Sequence, residues 1–208
     1  MSARMDRQKA LLDWSVAARP LSGESVCGDL HLVKRFKHGA LLAVVDGVGH
    51  GEEAVSAAQI AVALLEKNAE DSTIALVKSC HLALASTRGV VMTLASLNEQ
   101  TNKLTWLGVG NVEARLLRAA PAGQLPSESV LLRGGLVGYH LPELQFGVVD
   151  IRPGDLLIFA TDGIHPDFDH RVNRTESSKQ IADGIMSQHF KGTDDALVLV
   201  ARYLGRQP

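Results

Sequence analysis

The stretch GALLAVVDGVGHG, residues 39–51, joins a continuous apolar run to one aspartate and a series of glycines. An unbroken apolar run of this length is typical of a β-strand that is covered on both faces. Strands often end at an Asp-Gly pair, because this pair favours a turn. The stretch therefore predicts a core strand that ends at Asp46. It leaves open whether Asp46 only serves the turn or also faces a cation.

Other parts of the chain repeat the pattern of an apolar strand that meets an aspartate. LLIFATDG ends at Asp162, the pair Asp194 and Asp195 opens the final strand in KGTDDALVLVARY, and Asp29 begins a strand in VCGDLHL. Carboxylates that converge raise one another's pKa unless a cation neutralises them. Mg²⁺ and Mn²⁺ favour such oxygen ligands, whereas no pair of histidines or cysteines has zinc spacing. The pattern alone fits turns and a shared divalent-metal site about equally well.

The remaining patterns predict many strands and a few helices. Alternating or continuous apolar residues predict strands, and helical stripes predict helices. The predicted strands are DWSVAARPL, DLHLVKRF, GALLAVV, VVMTLASLN, KLTWLGV, VEARLLR, SVLL, FGVVDI, DLLIFAT and ALVLVARYL, and the predicted helices span residues 52–68, 72–87 and 176–189. This order lacks the regular alternation of a doubly wound sheet. It predicts an α+β fold in which two antiparallel sheets pack face to face with helices outside.

The composition is that of a globular domain, with 46% hydrophobic and 21% charged residues among 208. The formal net charge of −2 argues against a nucleic-acid partner. No apolar run approaches the roughly 20 residues of a membrane helix, and MSARMDRQKA lacks the apolar stretch of a secretory signal. Cys27 and Cys80 form no disulfide framework, and we interpret both as core residues. We expect one cytoplasmic, monomeric domain over residues 1–208, without a membrane partner.

Six motifs occur in a recognisable order: GD at residues 28–29, VVDGVGHG, RGVVMTLASL, LGVGNVEARL, GDLLIFATDGI and GTDDALVLV. Together they resemble the metal-dependent serine/threonine protein phosphatases of type 2C, in the compact bacterial branch of sporulation and sigma-factor regulators. Three of its features resemble those of the stressosome phosphatases in that branch, namely CGD, the RG before a strand and VGNV. The resemblance covers about residues 13–203. It implies a four-layer αββα sandwich with a two-metal centre between the sheets at one edge.

The resemblance also implies a role for each aspartate. Asp46 would bridge two Mn²⁺ or Mg²⁺ ions, and Gly47 would offer its carbonyl oxygen to one of them. Asp162 and Asp194 would bind the second ion, and Asp29 would hold a metal-bound water. A hydroxide that bridges the metals would attack phosphorus in line, without a covalent enzyme intermediate. Catalysis would thus depend on Asp29 and Asp46.

Neighbouring residues have more ordinary interpretations. Strand alternation directs only one of Asp194 and Asp195 towards the metals, so Asp195 could be the ligand instead, and the resemblance favours Asp194. Asn111, in GVGN, is expected to serve its turn. Trp14 and Trp106 lie in strand patterns and are expected in the core.

Two positions depart from the animal and plant members. Those proteins carry a histidine directly after the first DG, a proposed general acid, where this chain has Val48. His50 stands two residues further on, and we do not transfer the role to it; a metal-bound water could protonate the leaving serine. Those members also hold phosphate with an arginine just before the aspartate that matches Asp29. PLSGESVCG, residues 20–28, has no basic residue, and Arg19 is too far upstream, so phosphate binding depends on the metals or on another basic group.

These observations favour metal-dependent hydrolysis of phosphoserine and phosphothreonine on partner proteins. The resemblance points to phosphorylated STAS-domain proteins of a stressosome, as negative feedback in a stress response. A catalytically weak pseudophosphatase that only binds a partner is one alternative, because the histidine and the arginine are missing. A phosphatase for small phosphoesters is another, with the same metal site. The glycines of DGVGHG match neither GxGxxG nor a P-loop, which disfavours a nucleotide site.

Overall fold

The computed structural model describes residues 10–49, 51–119 and 127–205. His50 and residues 1–9 of the N-terminal segment, which were interpreted above, lie outside these described residues. The strands are β1 (Leu12–Arg19), β2 (Asp29–Phe36), β3 (Gly39–Gly47), β4 (Val90–Asn98), β5 (Lys103–Val109), β6 (Glu113–Leu117), β7 (Glu128–Ser129), β8 (Leu132–Arg133), β9 (Gly147–Asp150), β10 (Leu156–Ala160) and β11 (Ala196–Tyr203). The helices are α1 (Glu52–Lys67), α2 (Thr73–Ala83) and α3 (Ser178–His189). In this part of the chain, no helix is both long and apolar enough to cross a membrane.

The strands form two sheets that pack face to face. The first sheet has the order β1-β11-β10-β6-β7, and the second has the order β2-β3-β4-β5-β8, with β9 also paired to β5. Neighbouring strands are antiparallel except for β5 and β8, which are parallel. Helices α1 and α2 cover the outer face of the second sheet, and α3 covers the outer face of the first. The predicted four-layer αββα sandwich of the α+β class is therefore confirmed.

Alternate residues of β3 face different layers of the sandwich. Successive side chains of a strand point to opposite faces. Ala40, Leu42 and Val44 lie in the core between the sheets, and Leu41, Ala43 and Val45 lie in the core beneath α1 and α2. All six are fully buried, as expected for a strand with no polar face. Asp46 continues the first series, so its carboxylate projects between the two sheets.

Helix α1 packs unusually close to the end of β3. Its buried face consists mainly of alanines, namely Ala54, Ala57, Ala58 and Ala61. A Cβ atom placed on Gly47 would lie only 2.2 Å from the carbonyl oxygen of Ala54. Small side chains on the helix and a glycine at the strand end therefore allow the two backbones to approach. The contact fixes the turn that follows Asp46.

Two predicted segments differ in the structure. SVLL was predicted as one strand, but β7 pairs with β6 in the first sheet and β8 pairs with β5 in the second. One straight strand cannot join both sheets, so the segment breaks at Val130, which is buried between them. The second helix ends at Ala83 rather than near residue 87, because the backbone turns there and Thr87 N–H donates to the Leu84 carbonyl.

The predictions for tryptophan and cysteine are only partly confirmed. Trp106 is 3% exposed and belongs to the core, but Trp14 is 44% exposed, so its assignment to the core was wrong. Trp14 lies on the edge strand β1, and its ring contacts that of His31 in a tilted arrangement, with centroids 5.7 Å apart and an angle of 58° between the planes. Cys80 is buried as expected, whereas Cys27 is only half-buried.

Candidate metal centre

Two aspartates face each other at the end of β2 and β3. Asp29 and Asp46 are direct partners in the antiparallel register of these strands. Directly opposed residues point to the same face, and like charges in such a pair are destabilising. Asp29 is only 3% exposed, so water cannot screen the repulsion well. A cation bound between the two carboxylates would therefore relieve their repulsion.

Two more aspartates reach the same space from the other sheet. Asp162 lies two residues after the end of β10, and Asp194 lies two residues before the start of β11; these strands are antiparallel neighbours. Burial raises the pKa of Asp46 to about 9, and the charges of Asp29, Asp162, Asp194 and Asp195 add to that rise. Burial likewise raises the pKa of Asp29 to about 7. We call Asp29, Asp46, Asp162 and Asp194 the aspartate cluster; the fold brings together residues that lie far apart in the sequence.

Thr161 orients the buried carboxylate of Asp29. Its hydroxyl donates to Asp29 Oδ2 at 2.7 Å, and the same hydroxyl oxygen accepts the N–H of Leu197 at 2.8 Å. This hydrogen bond opposes the effect of burial on the pKa of Asp29. Leu157 and Phe159 point into the core between the sheets, and alternation directs Thr161 to the same side. Sequence reasoning missed Thr161, although alternation along LLIFAT could have indicated its direction.

The neighbours Asp194 and Asp195 have different surroundings. Asp195 is 3% exposed, and its two carboxylate oxygens accept the backbone N–H groups of Leu21 and Gly28, each at 2.7 Å. Asp195 therefore anchors the segment that leads into Asp29. Among the described residues, the Asp194 carboxylate accepts one hydrogen bond, from the N–H of Asp195 to Oδ1 at 2.8 Å. Within this part of the chain, hydrogen bonds thus occupy both oxygens of Asp195 but only one oxygen of Asp194.

Asp162 is held by two polar side chains that the sequence analysis did not assign to the site. Asn111 Nδ2 donates to Asp162 Oδ2 at 2.8 Å, and Lys191 Nζ donates to the Asp162 carbonyl oxygen at 2.6 Å. Asn111 was expected to serve its own turn, but its side chain reaches the carboxylate instead. Burial and the charge of Asp194 raise the pKa of Asp162, and Lys191 and Asn111 oppose that rise.

The turn after Asp46 is shaped by glycines and lies beside a basic residue. The N–H of Gly47 donates to the Gly28 carbonyl at 3.3 Å, which ties the turn to the segment before Asp29. Gly49 has φ +89°, and an added Cβ would lie 2.8 Å from Arg88 Nη1. The Arg88 guanidinium also forms an ion pair with Glu53 in the first turn of α1.

The donor set of the cluster suits a hard divalent cation. It consists of carboxylate oxygens, together with the backbone at Gly47, and Mg²⁺ and Mn²⁺ prefer such ligands. Within residues 10–49, 51–119 and 127–205, no three carboxylate, imidazole or thiol groups converge tightly on a single point. An ion bound here would therefore keep water ligands, as Mg²⁺ usually does, or would draw the carboxylates inwards.

Comparison with known proteins agrees with this fold. Residues 37–204 match the family model of stage II sporulation protein E (SpoIIE). A search of curated protein sequences gives no significant match. A solved structure described as "The bacterial stressosome: a modular system that has been adapted to control secondary messenger signaling" is 31% identical, with a TM-score of 0.83 over 92% of this chain and 99% of that one.

Two more distant structures share the fold. RsbX in complex with magnesium is 22% identical, with a TM-score of 0.82 over 92% of this chain and 95% of that one. The catalytic domain of the serine/threonine protein phosphatase PstP, in complex with two manganese ions, is 18% identical, with a TM-score of 0.68 over 93% and 98% of the two chains. The sandwich is thus found in proteins that are described with divalent metals.

Proposed function

This chain belongs to the SpoIIE family of PP2C-type phosphatase domains, and we propose that it hydrolyses phosphoserine and phosphothreonine on partner proteins with Mn²⁺ or Mg²⁺ as cofactor. The observation that carries this proposal is the aspartate cluster, in which carboxylates from both sheets meet at one edge of the sandwich. Four buried or half-buried carboxylates in one space are costly without cations. The cluster therefore favours a site for metal ions.

We assign the residues of the cluster as ligands of two metal ions. Asp46 and the Gly47 carbonyl would hold one ion, and Asp46, Asp162 and Asp194 would hold the other. Divalent ions held by these residues would supply the positive charge that activates a water for attack on phosphorus and that neutralises the phosphoryl oxygens. Asp29 faces Asp46 across the strand pair and is placed to orient the attacking water or to accept its proton.

The surrounding residues hold these carboxylates in place. Thr161 fixes Asp29, Asn111 fixes Asp162, and Asp195 anchors the segment that ends at Gly28. Partners that hydrogen-bond directly to a metal ligand, as Thr161 and Asn111 would, commonly affect metal affinity or activity by about 10–100-fold. Activity is therefore expected to depend on side chains that never contact the substrate.

The test of the proposed reaction is to replace Asp46 or Asp162 by asparagine. Both variants should lose hydrolysis of a phosphoserine protein while keeping the fold, because each asparagine keeps the shape of the side chain but loses the charge. Asp71→Asn, at an exposed position between α1 and α2, is the matched control and should leave turnover unchanged. Undiminished turnover in the Asp46 and Asp162 variants would refute the assignment.

We further propose that the substrates are phosphorylated STAS-domain proteins of a stressosome, whose dephosphorylation provides negative feedback in a stress response. The 31% identical structure is described with the bacterial stressosome, and RsbX shares the fold, which supports this choice. Turnover of a phosphorylated STAS-domain protein should exceed that of free phosphoserine. A preference for the free amino acid would instead support a phosphatase for small phosphoesters.

A metal-free binding module is the alternative from another functional class. Two observations favour it: Val48 stands where the animal and plant members carry a histidine, and segment 20–28 lacks the arginine of those members. The retained aspartate cluster opposes it. Calorimetric titration with Mn²⁺ separates the two, since the phosphatase should bind metal and a pure binding module need not.

A further inference from the structure

The phosphorylated substrate brings more negative charge than the proposed centre neutralises. The aspartate cluster carries four negative charges when ionised, and two divalent ions would balance them. A phosphoserine adds about −1.5 to −2 charges at neutral pH. Segment 20–28, which leads into Asp29, contributes no basic side chain. A basic side chain that assists the metals in binding the phosphoryl group would therefore come from another part of the fold.

Lys191 lies against the turn that carries Asp162. Its backbone N–H donates to the Gly163 carbonyl at 2.9 Å, and its Nζ donates to the Asp162 carbonyl at 2.6 Å. The chain just before it is fixed as well, because the His189 carbonyl accepts the N–H of His165 at 2.8 Å. The ammonium group is thus placed beside a cluster aspartate by a backbone that is hydrogen-bonded to the same turn.

The Lys191 ammonium has N–H donors that can bind an anionic ligand. An ammonium has three N–H donors, and the Asp162 carbonyl takes one of them. Among the described residues, no carboxylate lies within ion-pair distance of Lys191 Nζ, although its charge is felt at Asp162. The residue is exposed, so a phosphorylated protein can reach it.

Arg88 is another basic residue, beside the turn that follows Asp46, but its charge is already compensated. Its guanidinium lies beside Gly49 and forms an ion pair with Glu53. Binding a phosphoryl group there would require competition with that carboxylate. Lys191 needs no such exchange.

We propose that the Lys191 ammonium binds a phosphoryl oxygen of the phosphoserine or phosphothreonine substrate and supplies the positive charge that segment 20–28 lacks. This assignment rests on the proposed phosphatase function. Lysine binds phosphate as a point charge through charge-assisted hydrogen bonds. The role is one of substrate binding, and no proton or covalent bond is transferred to Lys191.

The test compares Lys191→Met and Lys191→Arg with a control, Lys37→Met. Lys37 lies in the turn between β2 and β3, at the far end of these strands and about 25 Å from Asp29 at ~3.3 Å per residue. Three quantities are measured for each protein: uptake of Mg²⁺ by calorimetry, the Kd of inorganic phosphate for the Mg²⁺-loaded protein, and KM and kcat for a phosphoserine protein.

Lys191→Met should weaken phosphate binding by about 10-fold or more, because a charge-assisted hydrogen bond is lost. KM should rise by a similar factor with a smaller change in kcat, Mg²⁺ uptake should persist, and Lys191→Arg should recover most of the phosphate affinity. Lys37→Met should match the wild type. If Lys191→Met binds phosphate as tightly as the wild type, or if Lys37→Met loses as much phosphate affinity as Lys191→Met, the assignment of Lys191 is wrong. The proposed phosphatase function is not affected by either result. A wild-type protein that neither binds metal nor hydrolyses the phosphoprotein overturns this inference and the proposed function together.

Discussion

Asp194 and Asp195 are adjacent in sequence, yet their carboxylates have different tasks. Asp195 is buried, and both of its oxygens accept backbone N–H groups from the segment before Asp29. Among the described residues, the Asp194 carboxylate accepts a hydrogen bond at one oxygen only. One of the pair thus maintains the fold around the site, and the other is the proposed metal ligand.

Exchanging each carboxylate for an amide should separate these tasks. In Asp195→Asn an amide NH₂ would face one of the two backbone N–H groups, so the free energy of unfolding should fall by about 1–3 kcal/mol, while Mn²⁺ binding persists. Asp194→Asn should keep most of the stability and lose at least about tenfold in Mn²⁺ affinity, equivalent to ~1.4 kcal/mol. Urea unfolding without metal and calorimetry with Mn²⁺ measure the two effects. The reverse pattern would exchange the roles of the two residues.

The sequence could predict the aspartate cluster because each aspartate stands next to an apolar strand in a short motif. It could not predict the residues that orient the cluster. Thr161 contacts Asp29 across 132 positions, and Asp195 contacts Gly28 across 167. These contacts depend on how the two sheets are aligned in the sandwich, and no local pattern encodes that alignment. Lys191 was also missed, because a single lysine before a turn belongs to no periodic pattern.

Strand β3 and helix α1 act together to position Asp46. The alanine face of the helix allows its backbone to lie against Gly47, so the strand end, the turn and the first helical turn form one closely packed unit. The sequence predicted both of these elements well, because an apolar run and a helical stripe are local signals. It failed at SVLL, where the chain leaves one sheet for the other and the change depends on pairing partners distant in sequence.

Gly47→Ala should disrupt this unit. The added methyl group would lie 2.2 Å from the Ala54 carbonyl, so α1 or the strand end must shift. We expect stability to fall by at least about 1–3 kcal/mol, as for overpacked cores, and Mn²⁺ affinity to fall with it because Asp46 moves. Thermal unfolding and calorimetry with Mn²⁺ provide the measurements.

Gly184→Ala is the matched control for that substitution. Gly184 lies within α3, and its added Cβ would meet only Gln188 Nε2, at 4.0 Å. Alanine is favoured over glycine inside a helix by roughly 0.5–1 kcal/mol, so this variant should be slightly more stable and bind Mn²⁺ normally. A harmless Gly47→Ala, or equal damage in both variants, would contradict the close packing that we describe.

The sandwich as a whole concentrates negative charge between its sheets, which couples its stability to pH and to metal. In the folded, metal-free protein, burial raises the pKa of Asp29 to about 7 and that of Asp46 to about 9, from an ordinary value of 3.8. The folded state therefore binds these protons more tightly than the unfolded state does. The resulting stability is complete below pH 3.8 and is lost as the pH rises through about 7 and then about 9.

We therefore expect the Tm of the metal-free protein to fall as the pH rises from 7 towards 9, the interval in which these two groups lose their protons. Mn²⁺ should raise Tm most at the upper end of this range, because the ion replaces the lost protons. Asp46→Asn, which carries no charge to bury, should have a flatter profile and exceed the metal-free wild type in Tm above pH 8. Scanning calorimetry across this range, with and without Mn²⁺, provides the test. A less stable Asp46→Asn variant at high pH would contradict the proposed repulsion.

The whole account depends on the aspartates of both sheets sharing a pair of metal ions. Anomalous diffraction from a crystal soaked in Mn²⁺ locates such ions independently of any assumption about ligands. We predict two manganese peaks about 3.5–4 Å apart, with Asp46 in contact with both and with Asp162 and Asp194 in contact with one. Peaks elsewhere on the protein, or a saturated crystal in which Asp46 contacts no manganese, would show that the account is wrong.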